Sequence, residues 1–90
     1  MGILGARYGG VYEGHRIEIV QDNLSKTCKL VVDGVTLASE GRAVPHDITL
    51  EATFEHAGVT HRLVGRSVVT GLATKDSIEL DGKPFSITRK

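Results

Sequence analysis

The sequence predicts an all-β protein: a single small antiparallel β-sandwich or partly open barrel of six to seven strands, built from hairpins. Three observations carry this. Apolar and polar residues alternate with a period of two over most of the chain from His15 onward, the spacing that sets one face of a strand on a core and the other in water. No window of eleven or more residues carries an apolar stripe at helical spacing. The apolar residues are mostly Val, Ile and Leu, with Thr frequent beside them, no Trp, and two each of Phe and Tyr; branched side chains at this density favour strands. A chain of 90 residues is one domain with a thin core.

The elements follow in order. Residues 1–14 hold five glycines, Gly2, Gly5, Gly9, Gly10 and Gly14. Glycine is costly to order and brings no side chain to offset the cost, so this stretch reads as a flexible Gly-rich N-terminal arm ahead of one antiparallel β domain over residues 15–90. Tyr8, Val11 and Tyr12 offer the arm a way to order on assembly, by pairing onto a sheet edge or a neighbour. In "HRIEIVQ", Ile17 and Ile19 share one face and Arg16 and Glu18 the other. "DNLSK" supplies turn residues. "TCKLVV" then runs up to Asp33-Gly34 and "VTLAS" runs away from it.

Asp-Gly at the centre of a two-residue loop predicts a type I′ turn, which needs positive φ at both central positions. The turn sets register: Val32 opposite Val35 and Leu30 opposite Leu37, with Cys28, Leu30, Val32, Val35 and Leu37 on one face. "SIELDGKPFS" repeats the device with Asp81-Gly82, placing Leu80 opposite Lys83 and Ile78 opposite Phe85. Pro84 cannot donate a ladder bond, so this strand belongs at an edge. Both copies solve the same steric problem at a hairpin and give no strong sign of duplicated domains. Between them, "DITLEATFEHAGVTHRLVGRS" alternates with few breaks. A turn centred on Ala57-Gly58 sets His56 opposite Val59, Phe54 opposite His61 and Ala52 opposite Leu63, which joins the apolar faces. Gly65 marks a bulge or a bend. "SEGRAVPHD" over residues 39–47 is either a binding loop or a crossover between sheets.

Eleven Lys and Arg balance eleven Asp and Glu, so neither nucleic acid nor an anionic membrane is expected as a partner. Zero net charge also removes the repulsion that keeps copies apart, which favours self-association into a homo-oligomer. Cys28 stands alone and closes no disulfide within the chain, which suits the cytoplasm. No apolar run approaches the ~18 residues of a membrane span, and the first residues lack the charged-then-apolar pattern of a signal peptide.

Chemistry is sparse. His56 and His61 fall near each other at the end of one hairpin, but Glu55 points to the opposite face and no third ligand has a motif spacing, so no metal and no cofactor is expected. Cys28 lies mid-strand on the apolar face, where it acts as a small hydrophobe. The serines lack a Gly-x-Ser-x-Gly context. Glu51 and Glu55 sit about 13–14 Å apart at ~3.4 Å per residue, too far for a glycosidase pair; with Arg62 and Thr60 opposite, they form a charge-paired solvent face. The candidate binding residues are Arg42, His46, Asp47, His56, His61 and Arg66, with Arg42 and Arg66, each beside a glycine, offering a small anion-binding spot.

Two stretches resemble the Fas apoptotic inhibitory molecule family of β-sandwich proteins. "HRIEIVQDNLSKTCKLVVDG" resembles that family's early strand, polar turn and strand ending in Val-Asp-Gly, and "SIELDGKPFSI" is similar to its closing hairpin. The chain departs from the family in having no Trp and in being short for its two-domain members. The resemblance implies a non-catalytic cytosolic β-sandwich acting through protein partners, and it carries over no functional residue. The expected function is thus a non-catalytic interaction or binding module working through protein contacts or self-association. The alternatives are a small-ligand carrier with an apolar cavity between sheets, or a small enzyme using His46, His56 or His61.

Overall fold

The computed structural model describes residues 5–22, 26–41, 46–71 and 73–89. Four two-residue turns organise them. Glu13-Gly14, Asp33-Gly34, Ala57-Gly58 and Asp81-Gly82 each hold positive φ at both positions, 49° and 83°, 51° and 81°, 52° and 77°, and 53° and 81°. That is the type I′ signature, whose twist matches the twist of the strands it joins. The strands are β1 (Gly5–Tyr12), β2 (His15–Asp22), β3 (Thr27–Val32), β4 (Val35–Gly41), β5 (Ile48–His56), β6 (Val59–Thr70), β7 (Ala73–Leu80), β8 (Lys83–Phe85) and β9 (Thr88–Arg89). There is no helix among the described residues, and so none long and apolar enough to cross a membrane.

The result is two open antiparallel sheets, ordered β4-β3-β2-β1-β9 and β5-β6-β7-β8. Each is built on one four-stranded meander, β1–β4 and β5–β8, with a turn of the same type joining its first pair and its last pair. Nine strands replace the six or seven expected, for two reasons. Residues 5–12, expected as a mobile arm, are β1, paired with β2 from Gly5↔Asp22 to Tyr12↔His15. Tyr8 and Tyr12 share the core-facing side and pack on the core, and the unbroken ladder satisfies the backbone of the glycines between them. The chain then leaves β8 after Phe85, and Thr88 and Arg89 pair with Gly9 and Tyr8 of the other sheet.

The core lies between the sheets. Ile17, Ile19, Cys28, Leu30 and Val32 meet Ile48, Leu50, Leu63 and Ile78, all at most 6% exposed; each large aliphatic side chain stabilises the fold by roughly 1.5–3 kcal/mol through burial. One expectation of register fails, while Val32 pairs with Val35 as expected. A β-bulge falls between Leu30 and Val31, so Leu30 pairs with Ala38 rather than Leu37. Leu37 becomes the extra residue of the bulge and is 38% exposed, and Val35, expected on the core face, is 59% exposed on the edge strand. The β5–β6 and β7–β8 registers are as the alternation predicts, and Pro84 lies on an edge strand. Gly65 makes no bulge; it pairs in continuous register with Leu50 and Ile78. Its missing side chain admits Leu30 and Ile19, whose δ-methyls would stand 3.3 and 3.4 Å from a Cβ there.

Candidate functional site

All four type I′ turns lie at one end of the sandwich, because each meander runs turn, strand, link, strand, turn. Two of the strands that leave a turn carry His-Arg near their start, at the first two residues of β2 (15–16) and at the third and fourth of β6 (61–62), and each pair meets an Asp-Gly turn of its own sheet. His15 Nδ1 lies 2.7 Å from Asp33 Oδ2, while the Arg16 N–H donates to Asp33 Oδ1 at 2.9 Å. In the second sheet, His61 Nδ1 lies 2.7 Å from Asp81 Oδ2, and the Arg62 N–H donates to Asp81 Oδ1 at 2.9 Å. The Asp backbone closes each stitch, its N–H donating to the Arg16 or Arg62 carbonyl at 2.9 or 2.8 Å. The imidazole N–H, then the Arg backbone N–H, hold both carboxyls below the usual aspartate range. The repeat therefore reaches beyond two tight hairpins: it includes the meander, the turn type and this His-Arg/Asp stitch.

The two stitches meet between the sheets. The other nitrogen of the same ring, His15 Nε2, lies 3.0 Å from His56 Nδ1 across the sheets, a hydrogen bond between the two imidazoles. His56 Nε2 lies 4.0 Å from Glu13 Oε2. Tyr12 holds in β1 the place that His56 holds in β5, one residue before the turn. It lies edge-on to His61 at 5.2 Å between ring centroids, as His56 does to His15 at 5.0 Å. Phe54 fills the centre, stacked on His61 at 5.3 Å and tilted against His15 at 5.3 Å. The rings staple one sheet to the other, and their hydrogen bonds run to partners inside the protein.

The structure brings together only part of the set read from the sequence. His56 and His61 share this end, joined by His15, Asp33, Asp81, Tyr12 and Phe54, which sequence reasoning left out. The recurrence of His-Arg ahead of each Asp-Gly turn was the available signal. His46 and Asp47 lie at the other end of β5: His46 Nε2 is 3.4 Å from Glu40 Oε2, and Asp47 Oδ1 accepts the Val69 N–H at 2.8 Å. Arg66 pairs with Glu79 at 2.9 Å. Arg42 lies outside the described residues. Arg62 pairs with Glu51, in keeping with a charge-paired outer face. Among the described residues, no group of three or more His, Cys, Asp or Glu is arranged to hold a metal ion.

The sheet margins form a second feature. The edges are β4 and β9 in one sheet and β5 and β8 in the other. Comparison with models of known protein families, with curated proteins and with solved structures finds no match.

Proposed function

We propose that this chain is a non-catalytic β-sandwich interaction module, working at the margins of its sheets through protein contacts or self-association. The observation that carries the reading is that both sheets are open, with β4 and β5 unpaired along one side. At the β4 margin Val35 and Leu37 stand 59% and 38% exposed, apolar side chains beside unpaired backbone. The histidine end supports the same reading, since its rings serve as an inter-sheet staple. Cys28, buried and in no disulfide among the described residues, fits a reducing compartment. Sedimentation velocity from micromolar to millimolar concentration, followed by titration with strand-forming peptides, tests the proposal. Either concentration-dependent association or peptide binding is expected. A strict monomer that binds no such peptide overturns it.

A further inference from the structure

The two meanders are finished differently. Beside β1 the first sheet carries β9, with Thr88 on Gly9 and Arg89 on Tyr8. Beside β5, the strand that holds the place of β1 in the second meander, the sheet ends. Counting back from the Glu13-Gly14 and Ala57-Gly58 turns, Thr53 corresponds to Gly9 and Ala52 to Tyr8. The margin at Ala52 and Thr53 is thus the counterpart of one that the chain itself pairs with an antiparallel strand.

Backbone phase makes that margin ready for pairing. A two-residue turn makes His56 and Val59 a hydrogen-bonded pair, so bonded pairs recur at Phe54, Ala52 and Leu50. The N–H and C=O groups of Thr49, Glu51, Thr53 and Glu55 then point out of the sheet edge. The same phase is visible one strand over, where Arg62, opposite Thr53, turns its N–H and C=O toward Asp81. All four outward residues are exposed. The other edges carry features that blunt pairing: β4 has its bulge, β8 is three residues with Pro84 inside, and β9 is two residues. β5 is nine residues in unbroken register without proline.

Charge then selects the occupant. The solvent face of β5 carries Glu51 and Glu55 and no cation. Arg62 pairs with Glu51, and among the described residues no cation pairs with Glu55. A second copy gains nothing here. Antiparallel β5–β5 pairing centred on Glu51 or Thr53 sets glutamate against glutamate, and pairing centred on Ala52 sets each glutamate only against threonine. Resting on the reading of the chain as an interaction module, we propose that the β5 edge takes up an extended antiparallel segment of a partner protein. That segment bears Lys or Arg at alternate positions, on the solvent side, beside Glu51 and Glu55.

The test uses the full chain labelled with nitrogen-15, titrated with an alternating Val-Lys nonapeptide and with its Val-Glu counterpart. The Val-Lys peptide is expected to shift the amides of Glu51, Thr53 and Glu55 and slow their hydrogen exchange, while the Val-Glu peptide leaves them unmoved. Glu51→Gln with Glu55→Gln, on a chain whose dispersed spectrum shows it folded, is expected to weaken binding about fivefold, an effect that falls with added salt. Shifts confined to β4 or β8 would overturn the edge assignment and leave the module reading intact. Equal response to both peptides overturns the charge selection, and concentration-dependent shifts of β5 without peptide make a second copy the occupant. No response to either peptide from a strictly monomeric chain removes the module reading as well.

Discussion

A Cβ on Gly10 would lie 2.5 Å from the carbonyl oxygen of Ser86. The chain leaves the second sheet and joins the first by passing directly over β1 at a residue without a side chain. The Phe85 ring closes the same spot, 3.0 and 3.2 Å from that Cβ position. The counterpart of Gly10 in the second meander is Phe54, whose ring lies among His15, His61 and Tyr12. One corner is open enough for a strand to cross; the other is filled.

Gly10→Ala is expected to destabilise the protein by about 1–3 kcal/mol in urea unfolding, because the atom in the way is backbone and cannot rotate aside. Loss of exchange protection at the Thr88–Arg89 pairing should accompany it. Gly65→Ala meets only the methyl tips of Leu30 and Ile19 at 3.3 and 3.4 Å, which can give by a few tenths of an ångström. Its cost should stay within about 1 kcal/mol. Equal effects at the two glycines would mean that the crossover does not pack on β1.

Leu30 and Leu37 give a second contrast. Leu30 is fully buried between the sheets and Leu37 stands exposed in the bulge. Leu30→Ala should cost about 2–5 kcal/mol, transfer and cavity together, and Leu37→Ala about 0.5 kcal/mol or less. Parallel urea titrations decide it. A large loss at Leu37 would restore the regular hairpin, in which the two leucines face each other.

That pair also shows how far the sequence could be read. Alternation and turn chemistry were enough for the class of fold, for the β5–β6 and β7–β8 registers, and for Leu30, Leu50 and Ile78 as core, because a one-residue slip would invert every face. A bulge is decided by twist and packing and leaves no mark in the alternation. β1 was hidden because glycine has no apolar side chain to count, although Tyr8 and Tyr12 already had the right spacing. At the histidine end, His56 and His61 could be brought together within one hairpin. His15, Asp33 and Asp81 required knowing that one meander faces the other, a relation of tertiary structure that local patterning does not contain.

The stitches make acid stability a readable property. The His15 and Arg16 N–H groups, and those of His61 and Arg62, lower the proton affinity of Asp33 and Asp81 in the folded state. The unfolded chain therefore binds more protons in acid, and stability rises with pH there. The contribution is complete above the unfolded carboxyl value of about 4 and is lost as pH falls through the lower folded value. The double variant Asp33→Asn with Asp81→Asn keeps residues that tolerate the turn and loses the charges. Its melting temperature should lie below the wild type at pH 6, and the gap should close between about pH 4 and pH 2. A gap that stays constant across that range would mean the carboxylates are not bonded to the imidazoles in solution.

Ala57 is the exception among the four turns. It holds φ at 52° in the position that Glu13, Asp33 and Asp81 occupy elsewhere. A Cβ in the left-handed region crowds the following carbonyl, and asparagine tolerates that region better than alanine because its short amide can bond locally. The neighbouring Gly58, at φ 77° with open space around it, completes the turn. Ala57→Asn should stabilise the protein by about 0.5–1 kcal/mol, a rise of a few degrees in melting temperature for a domain of this size. Gly58→Ala should lower stability by about 1 kcal/mol or more, since strain rather than contact is what changes. Thermal melts of the two variants beside the wild type check both signs at once. If Ala57→Asn lowered the melting temperature, the β5–β6 hairpin would not close through a type I′ turn, and the outward phase assigned to Thr49, Glu51, Thr53 and Glu55 would fail with it.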